Sequence, residues 1–180
     1  MSRDARPDAA TWRRRAWVAL QWGAILVLAV VAFRRLVPDL DLPDLGPAPV
    51  LTYRALDGRA VGPADYDGQV VVLNVWATWC PPCVVETPGF VDLQEEFAGD
   101  VQFLGLSQDE DPADVRAFAA RYGVEYPLLV GPPTAGAAPP TAVLPTTFVI
   151  DRSGRVRMRH EGLLVEPALR SALRTLVAER

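Results

Sequence analysis

The feature that most constrains the fold is the junction between an apolar run and a pair of cysteines. Gln69–Trp76 (QVVVLNVW) consists almost entirely of apolar and β-branched residues, which predicts a central strand covered on both faces. Pro82–Phe97 then carries apolar residues at helical spacing. We therefore expect Cys80 to lie where a buried strand meets the N-terminus of a helix, with Cys83 about one turn along that helix.

The order of the remaining elements predicts the fold class. Strands and helices alternate first, and a strand hairpin and a helix close the chain. This order predicts an α/β fold with a mixed central sheet, helices on both faces and an N-terminal β-hairpin. The predicted elements are a hairpin at Leu51–Val61, strands at Val101–Ser107, Leu128–Val130, Thr146–Ile150 and Arg155–His160, helices opened by Asp111-Pro112 and Glu166-Pro167, and a loop at Gly131–Thr141.

The first 50 residues differ in composition from the rest of the chain. An apolar segment predicts an uncleaved transmembrane signal-anchor helix at 16–36, and a cleaved signal peptide is the alternative. Arginines before this segment outnumber those after it, which predicts a cytoplasmic N-terminus at 1–15 and an extracytoplasmic domain at 51–180. The prolines and aspartates of 37–50 predict an extended linker that holds the domain off the membrane.

Composition argues against several kinds of function. All 18 basic residues are arginine, so no lysine is available as a nucleophile or for a Schiff base. The formal net charge of -4 does not indicate a nucleic-acid-binding surface, and a monomer is the default expectation. One histidine and two cysteines are fewer than the roughly four ligands that a structural zinc site needs.

The cysteine pair indicates redox chemistry. A bridge across two intervening residues closes too short a loop to add much stability. Because a helix N-terminus favours a thiolate, we expect Cys80 to attack a substrate disulfide and Cys83 to resolve the mixed disulfide, with no further cofactor. Two alternatives stay open. One is an inert thiol pair, and the other is a copper carrier that adds His160, which otherwise reads as an ordinary strand residue.

Three motifs together resemble a known family. Val71–Cys83 (VVLNVWATWCPPC), Leu144–Asp151 (LPTTFVID) and the Ser153-Gly154 turn resemble the TlpA/ResA/CcmG (DsbE)-like membrane-anchored thiol–disulfide oxidoreductases. The resemblance implies a thioredoxin-like fold over Leu51–Arg180. It also implies a reductase of client proteins such as apocytochrome c, supplied with electrons by a membrane donor of CcdA or DsbD type. A disulfide oxidase or isomerase is the alternative among redox enzymes.

The resemblance also assigns roles to individual residues. Pro145 matches a proline that adopts a cis peptide bond beside the disulfide. Glu86 matches an acidic residue that exchanges a proton with the resolving thiol, and a first-turn carboxylate on the helix dipole is the alternative. Asn74 stands where thioredoxin has a buried aspartate, Trp79 is expected to shield the site, and Trp76 to pack in the core. The further site-shaping residues are Pro81, Pro82, Leu144 and Thr146.

One segment departs from the family pattern. Gly131–Val143 (GPPTAGAAPPTAV) replaces the segment before the cis-proline, where many relatives place a short helix. That segment often shapes substrate choice in the family. The resemblance therefore does not identify the client of this chain.

Overall fold

The computed structural model describes residues 15, 17–18, 20–25, 27–28, 42–139 and 141–179, and in these the strands form one seven-stranded mixed sheet. The strands are β1 (Leu51–Ala55), β2 (Ala60–Val61), β3 (Val70–Trp76), β4 (Val101–Ser107), β5 (Leu128–Gly136), β6 (Thr146–Ile150) and β7 (Val156–Glu161). Their order is β2-β1-β5-β4-β3-β6-β7. β3 is central, parallel to β4 and antiparallel to β6, and all of its residues are buried. The predicted central strand is confirmed.

The α-helices between residues 42 and 179 are α1 (Pro81–Glu96), α2 (Pro112–Tyr122) and α3 (Glu166–Ala178). Each has a proline in its first turn, where the missing N–H would have no partner within the helix. Asp111 caps α2, because its Oδ1 accepts from the Ala113 N–H at 2.8 Å. Gly123 ends α2 in the left-handed conformation, with a φ of 69°. The three predicted helices are confirmed.

All three α-helices pack on one face of the sheet, whereas we expected helices on both faces. Phe90 of α1 and Leu173 of α3 share a buried cluster with Val72 of β3. Phe118 of α2 packs on Trp76, which lies on the same face because side chains alternate along a strand. The crossovers β3–α1–β4 and β4–α2–β5 step in the same direction across the sheet. Right-handed crossovers of this kind place both helices on one side.

The opposite face of the sheet is covered mainly by irregular chain. Its buried residues include Leu73 and Val75 of β3, and Tyr66 and Leu144 pack against them. Tyr66 belongs to a one-turn 3-10 helix, Pro63–Tyr66. Leu144 lies in the segment that leads into β6, so this segment helps to close the second half of the core.

β5 extends into the segment that was predicted to be a loop, Gly131–Thr141. It pairs with β1 as far as Gly136, which lies opposite Leu51. The prolines at 132 and 133 suggested a loop, but they fall where the register between β1 and β5 shifts. A Cβ on Gly136 would lie 1.8 Å from the Val50 carbonyl oxygen, so the glycine permits a close approach of two chains.

Part of the predicted linker packs against the domain. Residues 42–48 run along β7, where the Leu45 N–H donates to the Val156 oxygen and the Val156 N–H to the Gly46 oxygen, each at 2.8 Å. β7 is the last strand of the sheet, so its outer edge would otherwise present unpaired backbone groups. These residues are therefore not a free tether, and the second unit of the chain begins at residue 42 instead of 51.

The N-terminal unit, Met1–Asp41, is described only in part. Its residues 15, 17–18, 20–25 and 27–28 are helical. Among the residues that the structure describes, no helix is long and apolar enough to cross a membrane. Much of the predicted cytoplasmic segment 1–15 and of the predicted anchor 16–36, and residues 37–41 of the linker, lie outside the described residues. The anchor stays a prediction.

Replacing Gly105 of β4 by alanine is expected to destabilise the fold. A Cβ at this position would lie 2.6 Å from Leu128 Cδ2 and 2.9 Å from Trp76 Nε1. Because both neighbours are buried, neither can move freely. We expect Gly105→Ala to lower the free energy of unfolding by about 1–3 kcal/mol, measured by urea denaturation.

Gly89→Ala on α1 is the matched control. Its Cβ would lie 3.0 Å from Glu166 Cβ, so α3 must shift by a few tenths of an ångström, and alanine favours a helix over glycine by about 0.5–1 kcal/mol, which offsets this cost. We expect this variant to stay within about 1 kcal/mol of the wild type. If Gly105→Ala were no less stable than Gly89→Ala, the packing described between β4 and β5 would be wrong.

Candidate active site

The first turn of α1 carries the cysteine pair. Cys80 is the N-cap residue of α1 and forms a disulfide with Cys83, with Cα atoms 5.3 Å apart. Pro81 is exposed and Pro82 is half-buried. The pair lies at the predicted strand–helix junction. Exposure hardly distinguishes the two cysteines, because Cys80 is 3% and Cys83 1% exposed in this oxidised state.

The two prolines leave few backbone donors near Cys80. An α-helix begins with about four N–H groups that have no partner within the helix. Here Pro81 and Pro82 have no N–H, and the Cys80 N–H donates to the Ala77 oxygen at 3.2 Å. The Cys83 N–H is what remains of this set. The helix N-terminus therefore stabilises a Cys80 thiolate less than its position alone predicts.

An aspartate that the sequence analysis did not single out binds the turn before Cys80. The Asp109 carboxylate accepts from the Thr78 N–H at 3.0 Å and from the Thr78 hydroxyl at 2.5 Å. The Ser107 hydroxyl, at the end of β4, also donates to Asp109, at 2.6 Å. In the sequence, the one indication that Asp109 lies near the cysteine pair is its position two residues after β4. The ends of neighbouring parallel strands meet at one edge of a sheet.

The cis-proline segment packs against the disulfide region. The Leu144–Pro145 peptide bond is cis, as the family resemblance implied. Pro145 is buried, and Leu144 packs on the buried cluster that contains both cysteines. Thr146 is fully buried, and its hydroxyl donates to the Val143 oxygen at 2.6 Å. The Gly162 N–H donates to the Pro145 oxygen at 2.8 Å, which ties the segment to the chain after β7.

Glu86 is a buried carboxyl group on α1, one turn after Cys83, and only 5% of it is exposed. Its oxygens accept from Asn74 Nδ2 at 2.9 Å and from the Leu164 N–H at 3.1 Å. Burial raises the pKa of Glu86 to about 7, although both hydrogen bonds act to lower it. α1 has no acidic residue in its first turn, so the alternative of a first-turn carboxylate on the helix dipole does not hold.

Asn74 connects Glu86 to the centre of the sheet. Its Nδ2 donates to Glu86 and also to the Thr147 hydroxyl, at 3.0 Å. An aspartate here would place two carboxylates in contact, whereas the amide supplies a donor. The family pattern singled out Asn74 and Glu86 separately and gave no contact between them. Thr147 and Leu164 were not predicted, because each contacts a residue far from it in the chain.

The two tryptophans that flank the motif have different surroundings. Trp76 is 4% exposed, and its ring centroid lies 4.6 Å from that of Phe118, so it packs in the core. Trp79 was expected to shield the site, but it is 67% exposed. It is therefore a surface side chain directly before Cys80.

His160 lies in β7, and its Nε2 is 3.1 Å from the Leu163 oxygen. In the described part of the chain, no group of three or more His, Cys, Asp or Glu side chains is arranged to hold a metal ion. His160 thus does not form such a group with Cys80 and Cys83.

A family model and individual relatives both match this chain. The model of the AhpC/TSA family matches residues 37–159. The thioredoxin-like protein YneN of Bacillus subtilis is 31% identical over 129 residues, covering 70% of this chain and 76% of that protein. The thiol-disulfide oxidoreductase ResA of Geobacillus thermodenitrificans is 31% identical over 135 residues, covering 72% and 75% respectively.

A solved structure agrees with these relatives. The crystal structure of a DsbF homologue from Corynebacterium diphtheriae superposes with a TM-score of 0.66 at 26% identity, covering 72% of this chain and 86% of that chain. The fold, the cysteine pair and the cis-proline segment all agree with the motifs of the sequence. The chain belongs to the AhpC/TSA family, and within it to the thioredoxin-like group of the ResA and DsbE proteins.

Proposed function

We propose that this protein is an extracytoplasmic thiol–disulfide oxidoreductase that reduces disulfides in client proteins. The observation that carries the proposal is the disulfide between Cys80 and Cys83 in the first turn of α1, one turn from the buried carboxyl of Glu86. The names of its relatives support thiol–disulfide exchange. The direction of electron flow is part of the proposal.

The exchange proceeds in two steps. In the reduced protein, the Cys80 thiolate attacks one sulfur of the client disulfide, forms a mixed disulfide and releases one client thiolate. Cys83 then gives up its proton and attacks the Cys80 sulfur, which restores the Cys80–Cys83 disulfide and releases the second client thiolate. Two electrons pass to the client, and its two thiolates take up protons. A dithiol donor then returns two electrons to the pair.

Glu86 is suited to accept the proton of Cys83. It lies one helical turn from this thiol, and its raised pKa, about 7, allows both protonation states near neutral pH. Its two hydrogen bonds, from Asn74 and from the Leu164 N–H, hold the carboxyl in one orientation.

Two features favour a reductant over an oxidant. A strong oxidant of this kind has a stabilised thiolate in its reduced form. Here Pro81 and Pro82 remove two backbone donors from the first turn of α1. The carboxylate of Asp109, which binds Thr78 two residues before Cys80, adds negative charge to the turn that leads into the motif. Both features disfavour a Cys80 thiolate and so favour the disulfide form.

Exposed apolar side chains near the site fit an unfolded polypeptide as client. Trp79 directly precedes Cys80 and is 67% exposed, while Val143 and Leu163 are each 42% exposed. Val143 lies just before the cis-proline segment, and Leu163 just before the residue that binds Glu86. A client such as apocytochrome c would present its cysteines in an extended chain that can contact such a surface.

The place of the protein in the cell is part of the same proposal. The arginine excess before residues 16–36 supports a single membrane anchor with a cytoplasmic N-terminus and an exported domain. An exported reductase works in an oxidising compartment and must be re-reduced. A membrane electron donor of CcdA or DsbD type would supply the electrons. We expect a monomer that needs no cofactor besides its own disulfide.

The reduction potential of the Cys80–Cys83 pair tests the direction of electron flow. We expect a value between about −270 and −220 mV, because the thiolate of Cys80 has few stabilising donors. The measurement equilibrates the protein in glutathione or dithiothreitol buffers and follows alkylation of the free thiols. A value near about −120 mV would identify an oxidant and overturn the proposal.

Cys83→Ser is expected to accumulate mixed disulfides between Cys80 and client proteins. Without the resolving thiol the second step cannot occur, so the intermediate persists. Non-reducing gels followed by mass spectrometry would detect it. Cys80→Ser is the matched control and should trap little. Adducts that form only on Cys80→Ser would mean that Cys83 is the attacking thiol.

Glu86→Gln is expected to remove a pH dependence of both stability and exchange. The pKa of Glu86 in the folded protein, about 7, exceeds its ordinary value of 4.5. Between these two pKa values the folded state therefore binds more protons than the unfolded state. The free energy of unfolding of the wild type falls as the pH rises from about 4.5 to about 7, by on the order of 3 kcal/mol. Glu86→Gln should lack this fall and slow exchange at neutral pH on the order of 10²-fold.

Glu95→Gln is the control for this measurement, because Glu95 is an exposed carboxylate on the same helix. It should keep both the wild-type stability profile from urea denaturation and the wild-type exchange rate. An unchanged pH profile in Glu86→Gln would show that Glu86 has only a structural role.

A further inference from the structure

Asp109 forms a small hydrogen-bonded cluster at the end of β4. Its carboxylate accepts from the N–H of Thr78 at 3.0 Å, the hydroxyl of Thr78 at 2.5 Å and the hydroxyl of Ser107 at 2.6 Å. Its own N–H donates to Ser107 Oγ at 2.9 Å, so the aspartate is held from both sides. Ser107 is buried, and Asp109 and Thr78 are half-buried. A partly buried carboxylate with several donors forms strong, directional hydrogen bonds.

The turn that Asp109 binds leads directly into Cys80. Within it the Cys80 N–H donates to the Ala77 oxygen at 3.2 Å. Trp79, between Thr78 and Cys80, is 67% exposed, so packing of this large side chain does not fix the turn. The hydrogen bonds between Asp109 and Thr78 therefore connect the turn to the sheet.

The position of the Cys80 sulfur depends on this turn. Cys80 precedes Pro81, and a residue before proline is restricted to extended backbone conformations. Its φ and ψ are −91° and 107°, in agreement. Because the conformation of Cys80 is restricted, the direction from which the chain enters it determines where its side chain lies. That direction is set at Thr78 and Trp79.

We infer that Asp109 is a positioning residue for the Cys80 thiol, acting through its hydrogen bonds to Thr78. It holds the turn so that the sulfur keeps one orientation at the first turn of α1 and can align with an incoming disulfide. Asp109 itself does not contact the client. The inference rests on the proposed exchange function and adds a residue outside the motif to it.

The test compares Asp109→Ala, Asp109→Asn and Asp111→Ala in the full-length reduced protein. Each is reacted with a small aromatic disulfide, and the second-order rate constant is followed with pH to its alkaline plateau, where Cys80 is fully ionised. We expect Asp109→Ala to lower the plateau about 10 to 10²-fold, because a misplaced nucleophile aligns poorly. An asparagine can still accept from the Thr78 N–H, so Asp109→Asn should stay within about twofold of wild type.

Asp111→Ala separates positioning from general loss of stability. Asp111 caps α2 and is a close neighbour in sequence, but it does not bind the turn before Cys80. It should lower the melting temperature while leaving the plateau rate unchanged. Equal plateau rates in Asp109→Ala and wild type, or an equal loss in Asp111→Ala, would overturn the inference.

Two further measurements keep the test decisive. If Asp109→Ala does not fold, Thr78→Val removes the hydroxyl contact alone and should lower the plateau by a smaller factor; an unchanged rate would then overturn the inference. Trapping of client proteins by Cys83→Ser and the reduction potential of the pair are measured in parallel. Failure of Cys83→Ser to trap any protein, or a potential of about −120 mV, would refute the proposed function, while the comparison of Asp109 variants would still stand.

Discussion

The rest of the structure depends on the complete burial of β3. All seven residues of this strand are buried, so its backbone groups must pair within the protein, and they do so with β4 and β6. Burial also constrains Asn74, whose amide must find partners inside; it donates to Glu86 and Thr147. The strand ends at Trp76, and α1 starts five residues later, at Pro81. The location of the cysteine pair is thus a consequence of how the centre of the sheet is paired.

The buried carboxyl of Glu86 lowers the stability of the fold. A carboxylate with little solvent access loses most of its hydration, and two hydrogen bonds offset only part of that loss, as the raised pKa of Glu86 indicates. A leucine or methionine would remove the cost of burying a carboxylate, but it would leave the Leu164 N–H without its acceptor. Retention of an acid at a position that favours apolar residues is typical of functional sites, where stability is reduced in favour of chemistry.

Local features of the sequence were sufficient to predict most elements. Prolines at helix starts, the glycine that ends α2 and the β-branched run of β3 act within a few residues. The errors concern contacts between distant residues. Several features depend on chain segments that the sheet brings together. They are the register shift that accommodates Pro132 and Pro133, the placement of α1, α2 and α3 on one face, and the hydrogen bonds of Glu86 with Leu164 and of Asp109 with Thr78. Local propensity carries no information on these contacts.

The segment along β7 changes what counts as one folding unit. Arg155, directly before β7, binds Asp44 at 2.5 Å, and Arg157 of β7 binds the Leu42 oxygen at 2.9 Å, so two arginines hold residues that precede every family motif. A chain that began at Leu51 would keep the cysteine pair, the cis-proline and Glu86. It would lose the hydrogen bonds of Leu45 and Gly46 with the Val156 backbone. A strand edge with unpaired backbone groups can pair with the same edge of another copy. The stretch that reads as a spacer therefore covers an edge strand that could otherwise pair with another copy.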